Sequence, residues 1–145
     1  MFDALLRLLS APAPARLPQP DADLALAALL VRVARSDGDY AAAEIARIDK
    51  VLAKRHGLDA TGAASLRAQA EALEAEAPDT VRFTRALKEG VALEDRADVV
   101  EALWSVALAD KTRDDAEDQL LRLVANLLGL SDKDSALARQ RAAKA

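Results

Sequence analysis

The chain has 145 residues, no cysteine, 30% charged residues and a formal net charge of -4. This length is typical of a single domain, and the lack of cysteine excludes disulfides, thiolate zinc sites and a cysteine nucleophile. The acidic balance disfavours nucleic-acid binding, because nucleic-acid-binding domains usually present a basic face. No apolar stretch approaches the roughly 20 residues that a membrane-spanning helix needs.

The first twenty residues divide into two segments. Residues 1–10 (MFDALLRLLS) are mostly apolar and predict a short N-terminal helix. Residues 11–20 contain four of the five prolines, which predicts an extended linker. The short helix either folds back on the domain, anchors weakly to a membrane or partner through residues 2–9, or stays disordered. It is a poor signal peptide, and the absence of cysteine fits a reducing compartment, so we expect a cytoplasmic protein.

Residues 21–145 predict one helical domain with two helices at its centre. Residues 24–34 are apolar apart from Arg32, and residues 99–109 are apolar apart from Glu101 and Ser105. Helices that are apolar nearly all round belong in the middle of a bundle. Amphipathic segments lie between and after them, and no segment alternates with period two. We therefore expect an all-α bundle of seven or eight helices, with Trp104 in its core.

The two central helices also belong to an internal repeat. A shift of 73 positions places Leu30 on Leu103, Asp37 on Asp110 and Glu44 on Glu117. Each unit is then a buried helix, an acidic turn and an amphipathic helix. This register predicts a duplicated helix pair with pseudo-twofold symmetry.

The acidic turns are the recurring chemical feature of the sequence. They read SDGDYAAAE (residues 36–44) and ADKTRDDAED (residues 109–118). Carboxylates without cysteine or clustered histidine favour hard cations such as calcium or magnesium, although the spacing is not that of an EF-hand. The candidate metal ligands are Asp37, Asp39, Glu44, Asp110 and Glu117.

The same turns have an explanation that needs no metal. Asp39 and Thr112 occupy equivalent positions and suit helix N-caps, and acidic residues in a first turn complement the helix dipole. If cations do bind, we expect the first turn to bind more tightly, because Lys111 and Arg113 bring positive charge into the second.

No catalytic constellation accompanies these turns. His56 is the single histidine, and it cannot anchor a zinc site or a histidine-led triad by itself. No Gly-rich phosphate loop and no nucleophile elbow occur. We therefore expect that the protein is not an enzyme.

Three segments of the sequence resemble the TerB-like family, named after tellurite-resistance protein B, over about residues 21 to 142. They are ARSDGDYAAAE (34–44), residues 81–110 with the phrase EALWSVALAD, which is similar to the bacterial branch of the family, and LLRLVANLLGLSDKD (120–134). The resemblance implies an all-helical bundle with pseudo-twofold symmetry and acidic turns suggested to bind divalent metal. The matching positions are Asp37, Gly38, Glu44, Asp110 and Glu117, whereas Lys111 stands where the family usually has glycine.

The resemblance also implies a function. The family is associated with tellurite resistance and wider stress responses, without an established enzyme activity. We therefore expect a stress-related protein that acts through divalent-metal and protein binding at its acidic helix-turn-helix motifs, without nucleic acid. The alternative is a helical adaptor with no metal site, whose acidic turns are only caps.

Overall fold

The computed structural model describes residues 21–76, 79–109 and 115–144, and within these ranges the chain forms seven α-helices and no strand. The all-α prediction is confirmed, while the predicted N-terminal helix and linker lie outside the described residues. A 3₁₀ turn, Leu93–Asp95, leads into the fifth helix. The helices are α1 (Ala22–Arg35), α2 (Ala42–His56), α3 (Ala60–Glu76), α4 (Val81–Gly90), α5 (Arg96–Ala107), α6 (Asp115–Leu127) and α7 (Asp132–Lys144).

Helices α1 and α5 form the centre of the bundle, as their composition predicts. Helix α1 contacts α2, α3, α4, α5 and α6, and α5 contacts α1, α2, α6 and α7. Nine residues of α1 are buried, from Ala25 through Ala34 with the exception of Arg32. The Asp21 carboxylate caps α1 by accepting a 2.8 Å hydrogen bond from the Leu24 amide. None of the helices in the described ranges is long and apolar enough to cross a membrane.

Arg32 lies on the otherwise apolar surface of α1, and its partners come from α3 and from the start of α4. Its Nε lies 3.0 Å from Glu74 Oε2, its Nη1 donates to Thr80 Oγ1 at 3.2 Å, and its guanidinium stacks over the Phe83 ring at 5.2 Å. Arg35 shares the same acid, with Nη1 2.9 Å from Glu74 Oε1. The two arginines of α1 therefore hold the end of α3 against the central helix.

The burial pattern supports the duplication. Leu30 and Ile48 are 0% exposed, and so are their counterparts after the shift of 73 positions, Leu103 and Leu121. Equivalent positions of the two units thus face the same core. The structure is consistent with the predicted duplicated helix pair.

Two glycines end helices by different means. Gly57 follows α2 with a φ of 64°, a left-handed conformation in which glycine is unstrained. Gly90 ends α4 without a positive φ, and a Cβ added there would lie only 2.6 Å from the Cβ of Ala22. Glycine at position 90 therefore permits the close approach of α4 to the start of α1.

We expect Gly90→Ala to destabilise the protein, although alanine is the better helix former by about 1 kcal/mol. The new methyl group overlaps Ala22 in the first turn of α1, and such overpacking costs about 1–3 kcal/mol. Urea unfolding followed by circular dichroism measures the change. The double variant Ala22→Gly with Gly90→Ala removes the overlap and should recover most of the loss. Equal loss in the single and double variants would show that the contact does not matter.

Trp104 is a core residue, as predicted. Only 6% of it is exposed, its indole Nε1 donates to Ser135 Oγ at 3.2 Å, and the Arg139 guanidinium lies over the ring at 5.2 Å.

We expect Trp104→Ala to lower the free energy of unfolding by about 3–5 kcal/mol, as for other large core truncations. The control is Leu123→Ala, since Leu123 is 49% exposed, and it should cost less than about 1 kcal/mol. Similar losses in both variants would contradict the central position of Trp104.

Candidate metal site

The first acidic turn is built around Asp37. Gly38 has a φ of 82°, and its amide donates to the Arg35 carbonyl at 3.0 Å, which turns the chain at the end of α1. Asp37 Oδ1 accepts a 2.8 Å hydrogen bond from the Asp39 amide. This bond fixes the half-buried Asp37 carboxylate within the turn, while the residue Asp39 itself is exposed.

The start of α2 is capped by Glu44 rather than by Asp39. Ala41 is the N-cap residue, and its amide donates to Glu44 Oε1 at 3.2 Å. The predicted N-cap at Asp39 is therefore wrong, because the helix begins two residues later than an Asp39 cap requires. Thr112, the equivalent candidate in the second turn, lies outside the described residues.

Three carboxylates from the two turns meet in one group. One oxygen each from Asp37, Glu44 and Glu117 lies within 4.8 Å of the others. Glu44 is 0% exposed and Glu117 is 2% exposed. Of the other predicted ligands, Asp39 is not in this group, and Asp110 lies outside the described residues. Three of the four described candidate ligands thus form a single group, whereas the sequence predicts two separately ranked sites.

The pairing of Glu44 with Glu117 is consistent with the predicted duplication. These residues are equivalent after the shift of 73 positions, and the predicted pseudo-twofold symmetry would bring equivalent residues together near its axis. Helix α2 supplies one and α6 supplies the other. The carboxylate group therefore marks the junction between the two repeats.

The oxygen set suits a hard cation. Two oxygens on opposite sides of a calcium ion lie about 4.6–5.2 Å apart, since Ca–O distances are about 2.3–2.6 Å. Three oxygens within 4.8 Å of one another are thus within reach of one such ion, whereas magnesium would draw them closer together. The group holds no nitrogen or sulfur ligand, and His56 lies at the other end of α2 with Nδ1 3.6 Å from Asp23 Oδ1.

Charged residues of α1 and α3 contact the first turn and the helix that follows it. The Arg35 guanidinium stacks over the Tyr40 ring at 4.9 Å. Arg67 on α3 bonds Asp49 on α2, with Nε 2.6 Å from Oδ1, and also pairs with Glu71 at 3.3 Å. The hydrogen bond to Asp49 is the main cause that raises the pKa of Arg67. Arg67 therefore holds α2 against α3, and Arg35 holds the turn before α2 against the end of α1.

The fold and this group define a class: an all-α domain in which paired helix units converge on buried carboxylates. A family model described as tellurite resistance protein TerB matches residues 23–140. The chain therefore belongs to the TerB family, and the resemblance noted in its sequence is confirmed. No curated protein and no solved structure matches the chain.

Tyr40 offers a probe of the first turn, because it is the single tyrosine of the chain. Burial, and then the nearby Glu71 carboxylate, raise the pKa of Tyr40 above its ordinary value of 10.0. The Tyr40 phenol therefore ionises at lower pH in the unfolded chain than in the folded one. Its ionisation leaves the free energy of unfolding unchanged below about pH 10 and lowers it as the pH rises further. We expect phenolate absorbance to appear at higher pH in the folded protein than in urea.

Glu71→Gln tests the second cause of this shift. The variant should lower the ionisation midpoint of folded Tyr40 toward the urea value, while circular dichroism confirms that the helices persist. Identical midpoints in folded and unfolded wild-type protein would show that Tyr40 is solvated in solution.

Proposed function

We propose that this TerB-family protein binds one divalent cation, calcium or magnesium, between its two repeats. The single observation that carries the proposal is the convergence of Asp37, Glu44 and Glu117, two of them almost completely buried. The ligand set is smaller than the predicted one, since Asp39 is not part of the group.

Electrostatic repulsion within the group supports the proposal of a cation. Two carboxylate charges about 4.8 Å apart repel each other by about 3–4 kcal/mol at an effective dielectric constant of about 20. Ionising all three groups together is therefore unfavourable without positive charge nearby. A divalent cation replaces these repulsions with attractions, and its binding energy stabilises the contact between the two repeats.

The wider role that we propose is non-enzymatic. In a cytoplasmic stress response related to tellurite resistance, the protein would act through protein partners and not through nucleic acid. The family description supports the tellurite link. The residues of the group support binding rather than catalysis, because the single histidine is remote and the chain has no cysteine. Any membrane contact would be weak and confined to residues 2–9.

The second candidate function is a helical adaptor without a metal. Glu44 already has a structural task, because its Oε1 accepts a hydrogen bond from the Ala41 amide at the start of α2. In this alternative the carboxylates serve only as caps.

Thermal unfolding with calcium, magnesium or no divalent ion separates the two functions. We expect the metal to raise the melting temperature of wild-type protein, with a stabilisation of about 2.7 kcal/mol at a hundredfold excess over the Kd. Glu44→Gln and Glu117→Gln should each abolish the metal-dependent shift, because both residues contribute to one site. Calorimetric titration measures the stoichiometry, which should be one ion per chain.

Asp39→Asn is the matched control, since Asp39 is an exposed carboxylate of the same turn that lies outside the group. This variant should keep the metal-dependent shift. If millimolar calcium and magnesium shift no form of the protein, the adaptor function is correct. A shift that is lost in Glu44→Gln but retained in Glu117→Gln would contradict a shared site.

A further inference from the structure

A groove of about 640 Å³ runs between α2 and α5, on the later turns of α2 rather than at its carboxylate end. Its apolar surface comes from Val51, Ala102 and Ala142. Val51 and Ala102 are half-buried and Ala142 is 8% exposed, so apolar atoms line the groove without being fully covered. The groove is separate from the carboxylate group.

One wall of the groove is strongly basic. Arg47, Lys50, Lys54 and Arg55 line it from α2. Their side chains form no hydrogen bond and no ion pair with the described residues. The protein as a whole carries a formal charge of -4, so the charge of this wall is opposite in sign to the net charge of the chain.

The facing wall does not neutralise this charge. Asp98 and Glu101 on α5 are its acidic residues. Glu101 already pairs with Arg141, whose Nε lies 3.2 Å from Oε2. Four cations on α2 therefore face one acidic side chain without an ion pair and one that is already paired.

Helix stability accounts for only part of the basic wall. Lys54 and Arg55 lie in the last turn of α2, where positive charge complements the helix dipole. Arg47 and Lys50 lie in the middle of the helix, where the dipole offers no such stabilisation. The two side chains lie about one turn apart and present positive charge to the same groove.

We propose that this groove docks an acidic, amphipathic helix of a protein partner. The apolar ridge of such a helix would fill the space above Ala102, and its acidic side chains would lie along Arg47, Lys50 and Lys54. The groove is concave and partly apolar. The apolar side chains of an amphipathic helix can enter such a space, whereas a membrane surface or a phosphate backbone cannot fill it in the same way. From Arg47 to Lys54 the wall extends about 10 Å, roughly two helical turns.

The test is a titration of the whole chain with a synthetic amphipathic helix of about 18 residues. The peptide carries leucine on one face and glutamate beside it, and a second peptide replaces every glutamate with glutamine. Amide NMR spectra, recorded with a chelator at low salt, locate the binding surface independently of any metal. We expect shifts along Arg47–Arg55 and around Ala102, and about tenfold weaker binding of the glutamine peptide.

Protein variants identify the contribution of each wall. Lys50→Gln with Lys54→Gln should weaken binding of the glutamate peptide about tenfold. The matched control, Lys88→Gln with Lys133→Gln, removes two exposed lysines that do not line the groove and should bind like wild type. Ala102→Gln fills the floor and should also weaken binding while leaving the helical spectrum unchanged.

Three results would overturn the proposal. They are shifts centred on another surface, equal binding of the two peptides, and equal affinity of the groove variant and its control. Vesicles with about 30% phosphatidylserine serve as a competing probe. Binding to vesicles without binding to the peptide would replace the protein partner with a membrane surface.

Discussion

The burial of α1 on nearly all sides is the constraint on which the rest of the structure depends. A helix whose surface is almost entirely alanine, leucine and valine has no face to offer to water, so five other helices contact it. Within residues 24–34 the one charged residue, Arg32, is tolerated because Glu74 and Thr80 meet it within hydrogen-bonding distance. The turn that follows α1 is thereby held next to the second repeat. There one carboxylate oxygen of Asp37 lies within 4.8 Å of one of Glu117.

Much of this arrangement could be predicted from the sequence. The nearly continuous apolar composition of residues 24–34 and 99–109 indicated the two central helices, and the structure places them at Ala22–Arg35 and Arg96–Ala107, within three residues of those limits. Such predictions succeed because a helix that is apolar all round has few ways to be buried. Trp104 is predicted correctly for the same reason.

The details of the candidate site depend on tertiary structure and could not be predicted in the same way. Sequence spacing identified Asp37, Glu44 and Glu117, but it treated the two turns as separate sites. The alignment of Glu44 with Glu117 contained the missing information, because equivalent residues of a pseudo-twofold pair can meet at its axis. Asp39 lies outside the group of three, and the sequence alone does not distinguish an exposed carboxylate of a turn from one that lies close to other carboxylates. The ion pair of Arg67 with Asp49 joins α3 to α2 across 18 residues, and no local pattern indicates it.

Helix α2 connects the two proposed binding surfaces, and its packing decides whether they communicate. Glu44 in its first turn belongs to the carboxylate group, while Arg47 to Arg55 form the wall of the groove. A ligand shifts an equilibrium only when it binds two states of the protein with different affinity. Helix α2 has little freedom to adopt a second position, because Ile48 and Leu52 are 0% exposed in the core and Arg67 holds Asp49 from α3. A cation bound at the first turn would therefore stabilise the fold without moving the basic wall, and we expect the two proposed surfaces to act independently on one rigid helix.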